Sequence, residues 1–591
     1  MNTLIPLIAT VALTMSPYTA DLSRYFPNDA TEQTERATLL ANVAVFEKQT
    51  ASTITTPKDL ASWLSQLDSL SKGLQKHDLY VYMRAEENRD DRSNAAADEA
   101  LGDNISRLDS VARNILAELG ASKLHGFRSA DSLLAPYDHF VDDSLARAAH
   151  DRQSEQAVLL LAQPALDSLG SSYKTLRRHA LSSAATHKPE STREASEAMW
   201  SPFLQNEDGF AALLLPIATL QNGKAKLQGF VDAPEAAYFR AGLSPTAVHD
   251  VLSAVGRSDA FSNYQSVVAG AATQKLHMAM TELHASDLDA ADTYSPPPIS
   301  FPDAVPLILA ATKPMGREYA NQYAQLFDPA AHRVMWCHED KCDDTGFSVG
   351  YAGLVSGLFY GKFDGSVNSV RGVAHEAGHA VHRQFMNENQ PLAVYNEGPH
   401  FVFESFAIFN ELLLLDHLYR SASSPNAKAY YLHTFLNDAT AQVFGSARET
   451  DLEESMYAGV QAGGLRTAAD MDALTLQVFA RYTTAPALAP EMKVFWAANR
   501  LYFTDPLYDV NYLFAGLLAL EYLHQYEQDP RRFARRYVAL LKNGFTDTPQ
   551  VLERKFLDID LDDASGLVGN AAAMISHRTT ELSKLYSAAT P

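Results

Sequence analysis

His375, Glu376 and His379 fall in the run Val373-Ala-His-Glu-Ala-Gly-His-Ala-Val-His382. The two histidines are four residues apart, so on a helix both imidazoles project from one face and can grip one cation. Glu376, the next residue after the first histidine, can reach a water held by that cation and take its proton. This H-E-x-x-H spacing is the pattern of metal-dependent peptide hydrolysis. Two exposed helical histidines without a metal would satisfy the same letters. Gly378 is a poor helix former in the middle of the run and needs a reason. Close approach of another backbone would supply one.

A third ligand decides the class of site. A metzincin would need a histidine six residues past His379, where Phe385 stands; a thermolysin-like site would need a glutamate about twenty past it, where Pro399 stands. The segment Phe401-Val-Phe-Glu-Ser-Phe-Ala-Ile-Phe-Asn-Glu411 offers Glu404 instead, 25 residues past His379. An unpaired carboxylate is costly to bury in so apolar a helix, and a bound metal offsets that cost. Glu411 lies two turns further along the same face, where it can orient a ligand histidine from behind, or stand as a solvated or salt-bridged residue. Glu397 is a competing ligand, but Gly398 and Pro399 mark its segment as a loop. Two neutral imidazoles and one carboxylate would hold one Zn²⁺ per chain and leave a coordination position open for water.

The elements that must position these groups are mostly helical. Residues 34–49, 60–76 and 144–163 show apolar side chains at three- and four-residue spacing, and from 21 to 292 one helical segment follows another. Tyr294-Ser-Pro-Pro-Pro-Ile299 punctuates the chain, because three prolines cannot continue a helix. Glycines at 346, 350, 353, 357, 361 and 365, interleaved with aromatic and branched residues, suit short twisted strands and tight turns. Helical texture returns at 369 and persists. The predicted fold is mainly α, with a small β-sheet next to the H-E-x-x-H helix. Residues 21–294 form an N-terminal helical region and 295–591 the catalytic region.

Composition narrows the partners. The chain has 591 residues, 48 Lys and Arg against 71 Asp and Glu, and a net charge of −23. So acidic a surface argues against nucleic acid and against anionic membranes. The two cysteines exclude a disulfide scaffold and a Cys-rich zinc ribbon. Cys337 and Cys342 lie in Trp-Cys-His-Glu-Asp-Lys-Cys-Asp, where a disulfide, two free thiols or a metal pair with His338 are all readings. The apolar run from Leu4 to Met15 is long enough for a signal-peptide core and too short to span a bilayer. With a cut after Ala20, residues 1–20 would be removed and the protein exported to the periplasm or medium, with no stable membrane association. An apolar first helix packed on the core is the other reading, and a cytoplasmic location goes with it.

The metal region and its flanks resemble the thimet oligopeptidase and oligoendopeptidase F family of zinc metallopeptidases, closer to the oligoendopeptidase F branch. His375-Glu-Ala-Gly-His-Ala-Val-His382 followed by Glu404 carries the likeness. Ile299-Ser-Phe-Pro-Asp-Ala-Val, Pro314-Met-Gly-Arg-Glu-Tyr319, Tyr80-Val-Tyr-Met-Arg84 and Leu540-Leu-Lys-Asn-Gly-Phe extend it. The resemblance implies two helical lobes flanking a deep channel with zinc at its floor, and hydrolysis of short, unfolded peptides. It implies His375, His379 and Glu404 as ligands, Glu376 as general base, and a structural His382. Tyr508 and Tyr512 match family tyrosines that bind substrate and oxyanion, core packing being the alternative for both. Tyr502 stands where the family usually has a histidine. A dipeptidyl carboxypeptidase on the same scaffold, or a peptide binder without catalysis, are the rival readings; an intact Glu376 speaks against the second.

Overall fold

A computed structural model describes residues 18–88, 90–150, 156–184, 192–337, 342, 345–483 and 489–589. The fold is mainly α, as the periodicity predicts, and among the described residues one three-stranded sheet interrupts the helices. Its strands are β1 (Val334–Cys337), β2 (Gly346–Val349) and β3 (Gly357–Gly361), in the order β1-β3-β2. β1 runs parallel to β3 with Val334 opposite Leu358, and β2 runs antiparallel to it with Gly346 opposite Tyr360. The glycine-rich segment predicts β2 and β3. It does not reveal β1, a four-residue strand that pairs with a segment more than twenty residues away.

Successive side chains of a strand point to opposite faces, and here the two faces join two cores. Met335, Val349 and Phe359 pack with residues drawn from Leu22 to Val141. Val334 and Leu358 pack into the larger core, which gathers residues from Leu166 to Leu582. The sheet is therefore the wall shared by the first helices and the remainder of the chain. Cys337, at the end of β1, is joined to Cys342 by a disulfide.

The H-E-x-x-H helix, Val367–Asn389, packs on β2 and β3. Its start is specified locally. Ser366 caps it by accepting the Ser369 N–H at 3.1 Å, and Asp364 accepts the Ser366 N–H at 2.8 Å and the Ser369 hydroxyl at 2.6 Å. The proline-rich linker runs beside this start, where Ile299 donates its N–H to the Gly365 carbonyl at 2.9 Å. The next long helix, His400–Ser421, is apolar on nearly every side and accordingly buried between the H-E-x-x-H helix and the helix Asp509–Gln528. Gly378 sits at the first of these crossings. A Cβ there would come within 3.0 Å of the Ala407 Cα and 3.2 Å of the Phe406 carbonyl. The close backbone approach predicted from this glycine is what the fold uses it for.

Residues 1–17, and with them most of the predicted signal segment, lie outside the described residues. Tyr18 is buried against Phe301, and its carbonyl accepts the Trp336 N–H at 3.1 Å. No helix among the described residues is long and apolar enough to cross a membrane.

Candidate metal centre and active site

The crossing of the two central helices brings His375, His379 and Glu404 together. One ligand atom from each lies within 4.8 Å of the others, the only such group of three among the described residues. The Nε2 atoms of His375 and His379 stand 3.4 and 3.8 Å from the same Glu404 oxygen, and the two rings meet edge to face at 4.8 Å. Both imidazoles and the carboxylate thus turn their free electron pairs toward one space. Burial pushes the Glu404 carboxyl up, but the adjacent His375 and His379 rings outweigh it and hold it below the usual carboxylate range. Two imidazoles and one carboxylate are the donor set of a catalytic zinc site with an open position, so the residues present fit that metal.

Behind His375 runs a chain of charge. Its Nδ1 meets a Glu411 oxygen at 2.5 Å, the other Glu411 oxygen lies 3.2 Å from Arg371, and Arg371 also pairs with Asp438. A proton on Nδ1 shared with Glu411 leaves the Nε2 lone pair for a metal and fixes the ring's direction. The two-turn spacing from Glu404 anticipates Glu411; nothing in sequence spacing points to Arg371 or Asp438. Glu411→Ala is expected to weaken zinc binding by about 10-fold, the lower end for an outer partner. Competition with a fluorescent zinc chelator measures it, and an unchanged affinity would return Glu411 to a structural salt bridge.

Glu376 projects from the same helix beside the ligands. Burial raises its pKa, the two ligand histidines pull it back, and the nearby Glu404 charge adds to the rise. β2 closes in on it: a Cβ at Gly346 would meet the Glu376 Cγ at 2.9 Å and the Tyr360 ring at the same distance. A glycine at this position lets an edge strand pass directly over Glu376. Glu397 is not in the cluster. It is exposed and paired with Arg383 at 3.3 Å. His382 is buried among the rings of Phe403, Phe406 and Phe545, and burial followed by the Arg383 charge pushes its pKa well below the ordinary value. It packs; it does not join the ligand set.

The tyrosines arrive from a third element. Tyr508 immediately precedes the helix Asp509–Gln528, and Tyr512 is in its first turn. Their rings touch edge to face at 5.3 Å. Both are half-buried in a stretch whose other side chains are mostly buried. Burial raises the pKa of each phenol, and the Glu404 charge is the second cause for both. Both therefore keep their protons and lie within electrostatic reach of the ligand set. The preceding residue, Leu507, adopts a left-handed φ of 65°, and the buried Glu453 carboxylate accepts its N–H at 2.7 Å. This bond fixes the turn that presents Tyr508. Tyr502 is elsewhere: fully buried, with its hydroxyl donated to the Glu449 carbonyl at 2.8 Å. A second ring beside Tyr508 is that of His400, at 5.4 Å. Sequence reasoning overlooked it, although His400 is one helical turn before Glu404 and so shares its face.

A tyrosine hydroxyl that meets the oxyanion strengthens its contact only in the transition state. Tyr508→Phe or Tyr512→Phe is then expected to lower kcat by roughly 10²–10³-fold with little change in KM, the scale of one lost oxyanion donor. Unchanged kcat in both would make the two rings packing residues.

Comparison with known proteins agrees with this geometry. Residues 363–567 match peptidase family M3. An oligoendopeptidase F homolog of Lactococcus lactis subsp. lactis (strain IL1403) is 22% identical over 484 residues, 76% of this chain and 77% of the relative. Among solved structures, a candidate peptidase from Chlamydophila abortus superposes with a TM-score of 0.79 at 19% identity, covering 97% of this chain and 99% of that one. Oligoendopeptidase-F from Enterococcus faecium gives 0.66 at 17% identity, covering 95% and 99%. Fold, site and matches together are similar to those of peptidases. The chain resembles the oligoendopeptidase F branch of peptidase family M3.

Proposed function

We propose that the protein is a zinc-dependent endopeptidase that hydrolyses short, unfolded oligopeptides. The observation that carries this reading is the convergence of His375, His379 and Glu404 beside Glu376 where two helices cross. Zinc held there would polarise the scissile carbonyl and acidify the attacking water. Glu376 takes the proton of that water on its carboxylate as the water adds to the carbonyl carbon, and then delivers it to the leaving amine. The half-buried, protonated Tyr508 and Tyr512 donate hydrogen bonds to the oxygen that becomes negative. β2 is an edge strand lying against Glu376, so an extended peptide can pair with its free backbone groups. Catalysis is assigned to the region 295–591. A disulfide between Cys337 and Cys342 suits an oxidising compartment, and export is the location proposed.

The test is metal content measured beside cleavage. The purified protein should carry one zinc per chain and cut a quenched fluorescent nonapeptide while leaving a native folded protein intact. Cleavage at full rate by verified metal-free protein, or none by the zinc-loaded protein across varied peptides, would overturn the proposal.

A further inference from the structure

Beside the metal centre lies a cavity of about 550 Å³ whose wall includes Tyr508 and His400 on the site's side. Its far side carries two arginines, Arg147 from the helix Asp138–Ala148 and Arg240 from the helix Ala233–Ala241. Both cations face the same cavity. Burial lowers the Arg240 pKa, and the neighbouring Arg147 charge lowers it further. A chain with net charge −23 has acids in excess, yet it places none against Arg240.

The two carboxylates that share this wall are engaged elsewhere. Glu397 pairs with Arg383 at 3.3 Å; Asp505 accepts the Thr504 hydroxyl at 2.7 Å and lies 3.5 Å from Arg500. Arg147 gives only its Nε, at 2.7 Å, to Asp143 on its own helix. Among the described residues Arg240 has neither an ion pair nor a hydrogen bond, so the fold makes no visible use of it. Two guanidinium groups on the wall of one concavity, neither paired with the acids of that wall, form a receptor for an anion. Tyr508 lines the cavity, so under the proposed function an anion that arrives there is part of the substrate.

We infer that this cavity is a subsite for a carboxylate of the peptide substrate, bound by Arg240 with Arg147 in support. The carboxylate is the peptide's free C-terminus or an acidic side chain; the chemistry is the same for both. The inference deepens the peptidase reading and rests on it for the nature of the ligand. Because Arg240 holds no ion pair or hydrogen bond among the described residues, its substitution removes none from the fold.

The experiment compares peptides built on one sequence in the zinc-loaded enzyme: one with a free C-terminal carboxylate, one with a C-terminal carboxamide, and an amidated series with glutamate or glutamine at each position in turn. The peptide bearing the recognised carboxylate should show a KM roughly 10-fold lower than its neutral counterpart, with similar kcat, as for a charge-assisted contact made equally in ground and transition states. Arg240→Gln should erase that difference by weakening the charged peptide alone. Arg147→Gln should reduce it, and Arg240→Lys should retain part of it. The same peptides, labelled, are bound to the Glu376→Gln protein and followed by fluorescence anisotropy, which reads recognition without hydrolysis. A preference that follows the C-terminus identifies the terminal carboxylate, and one that follows a glutamate identifies a side chain; both support the subsite once Arg240→Gln abolishes them. Equal KM and equal Kd for every charged and neutral pair would overturn it, as would a preference that survives Arg240→Gln. Either result leaves the peptidase reading standing if cleavage persists. Absence of cleavage with a carboxylate preference intact in the binding arm would instead sink the peptidase reading alone.

Discussion

Stripping the metal with a chelator is expected to abolish peptide cleavage, and Zn²⁺ to restore it. Glu404→Ala should reproduce the loss in a form that added zinc at ordinary concentration does not repair. The reason lies in how few donors there are. His375, His379 and Glu404 supply three, one of them the sole carboxylate, and the whole negative charge that compensates a divalent cation within the ligand set is on Glu404. Its neighbours on the helix, Phe403, Ser405 and Phe406, are buried, and none of them carries a carboxylate to take its place. Losing a direct ligand should cost more zinc affinity than the about 10- to 100-fold typical of an outer partner. Glu397→Ala should cost none, since Glu397 is exposed and turned to Arg383. Zinc bound after dialysis against a graded chelator series measures all three proteins. Equal retention by Glu404→Ala and the parent would remove Glu404 from the ligand set, and full activity after verified metal removal would end the metallopeptidase reading.

What the sequence revealed and what it hid follow one physical division. The groups carried by single helices were legible, because helical periodicity fixes which side chains share a face before any tertiary contact exists. His375 with His379, and Glu404 with Glu411, are of this kind. Gly378 was legible for a related reason: a helix-breaking residue in a helical run signals a backbone close by, and Ala407 is that backbone. The partners hidden from sequence are those set by packing across the chain. Arg371 reaches Asp438 on another helix. β1 exists because a parallel partner lies beyond a crossover, and its four residues carry no alternation of their own. Tyr502 shows the limit of motif alignment. The motif sets it where the family usually has a histidine, whereas the turn fixed by Glu453 and Leu507 presents Tyr508 and leaves Tyr502 inside. The side chain that lies beside Tyr508, His400, comes from a different helix altogether. The paired cations Arg147 and Arg240 are more remote still, separated in sequence from the H-E-x-x-H run and from each other, and only the cavity reveals them as a unit.

Glu376→Gln should keep the zinc and lose roughly 10²–10⁴-fold in kcat, the usual contribution of a positioned general base. Glutamine matches glutamate in shape, so β2 can still pass over it through Gly346 and the helix crossing at Gly378 is untouched. What changes is a single capacity: the amide cannot accept the proton that the attacking water must release. Burial already raises the pKa of Glu376, and the ligand histidines restrain that rise. The direction suits its task, because a carboxyl somewhat less acidic than usual holds the proton well enough to hand it to a leaving amine. The variant therefore separates binding from chemistry. Its affinity for zinc and for a short peptide should match the parent's, so the loss should appear in kcat with KM nearly unchanged. Zinc content, peptide anisotropy and single-turnover rates on the same preparation decide the matter. Turnover near the parent's rate would move the base to another residue. A fall in zinc content equal to the fall in rate would show instead that Glu376 acts on the metal site and not on the proton.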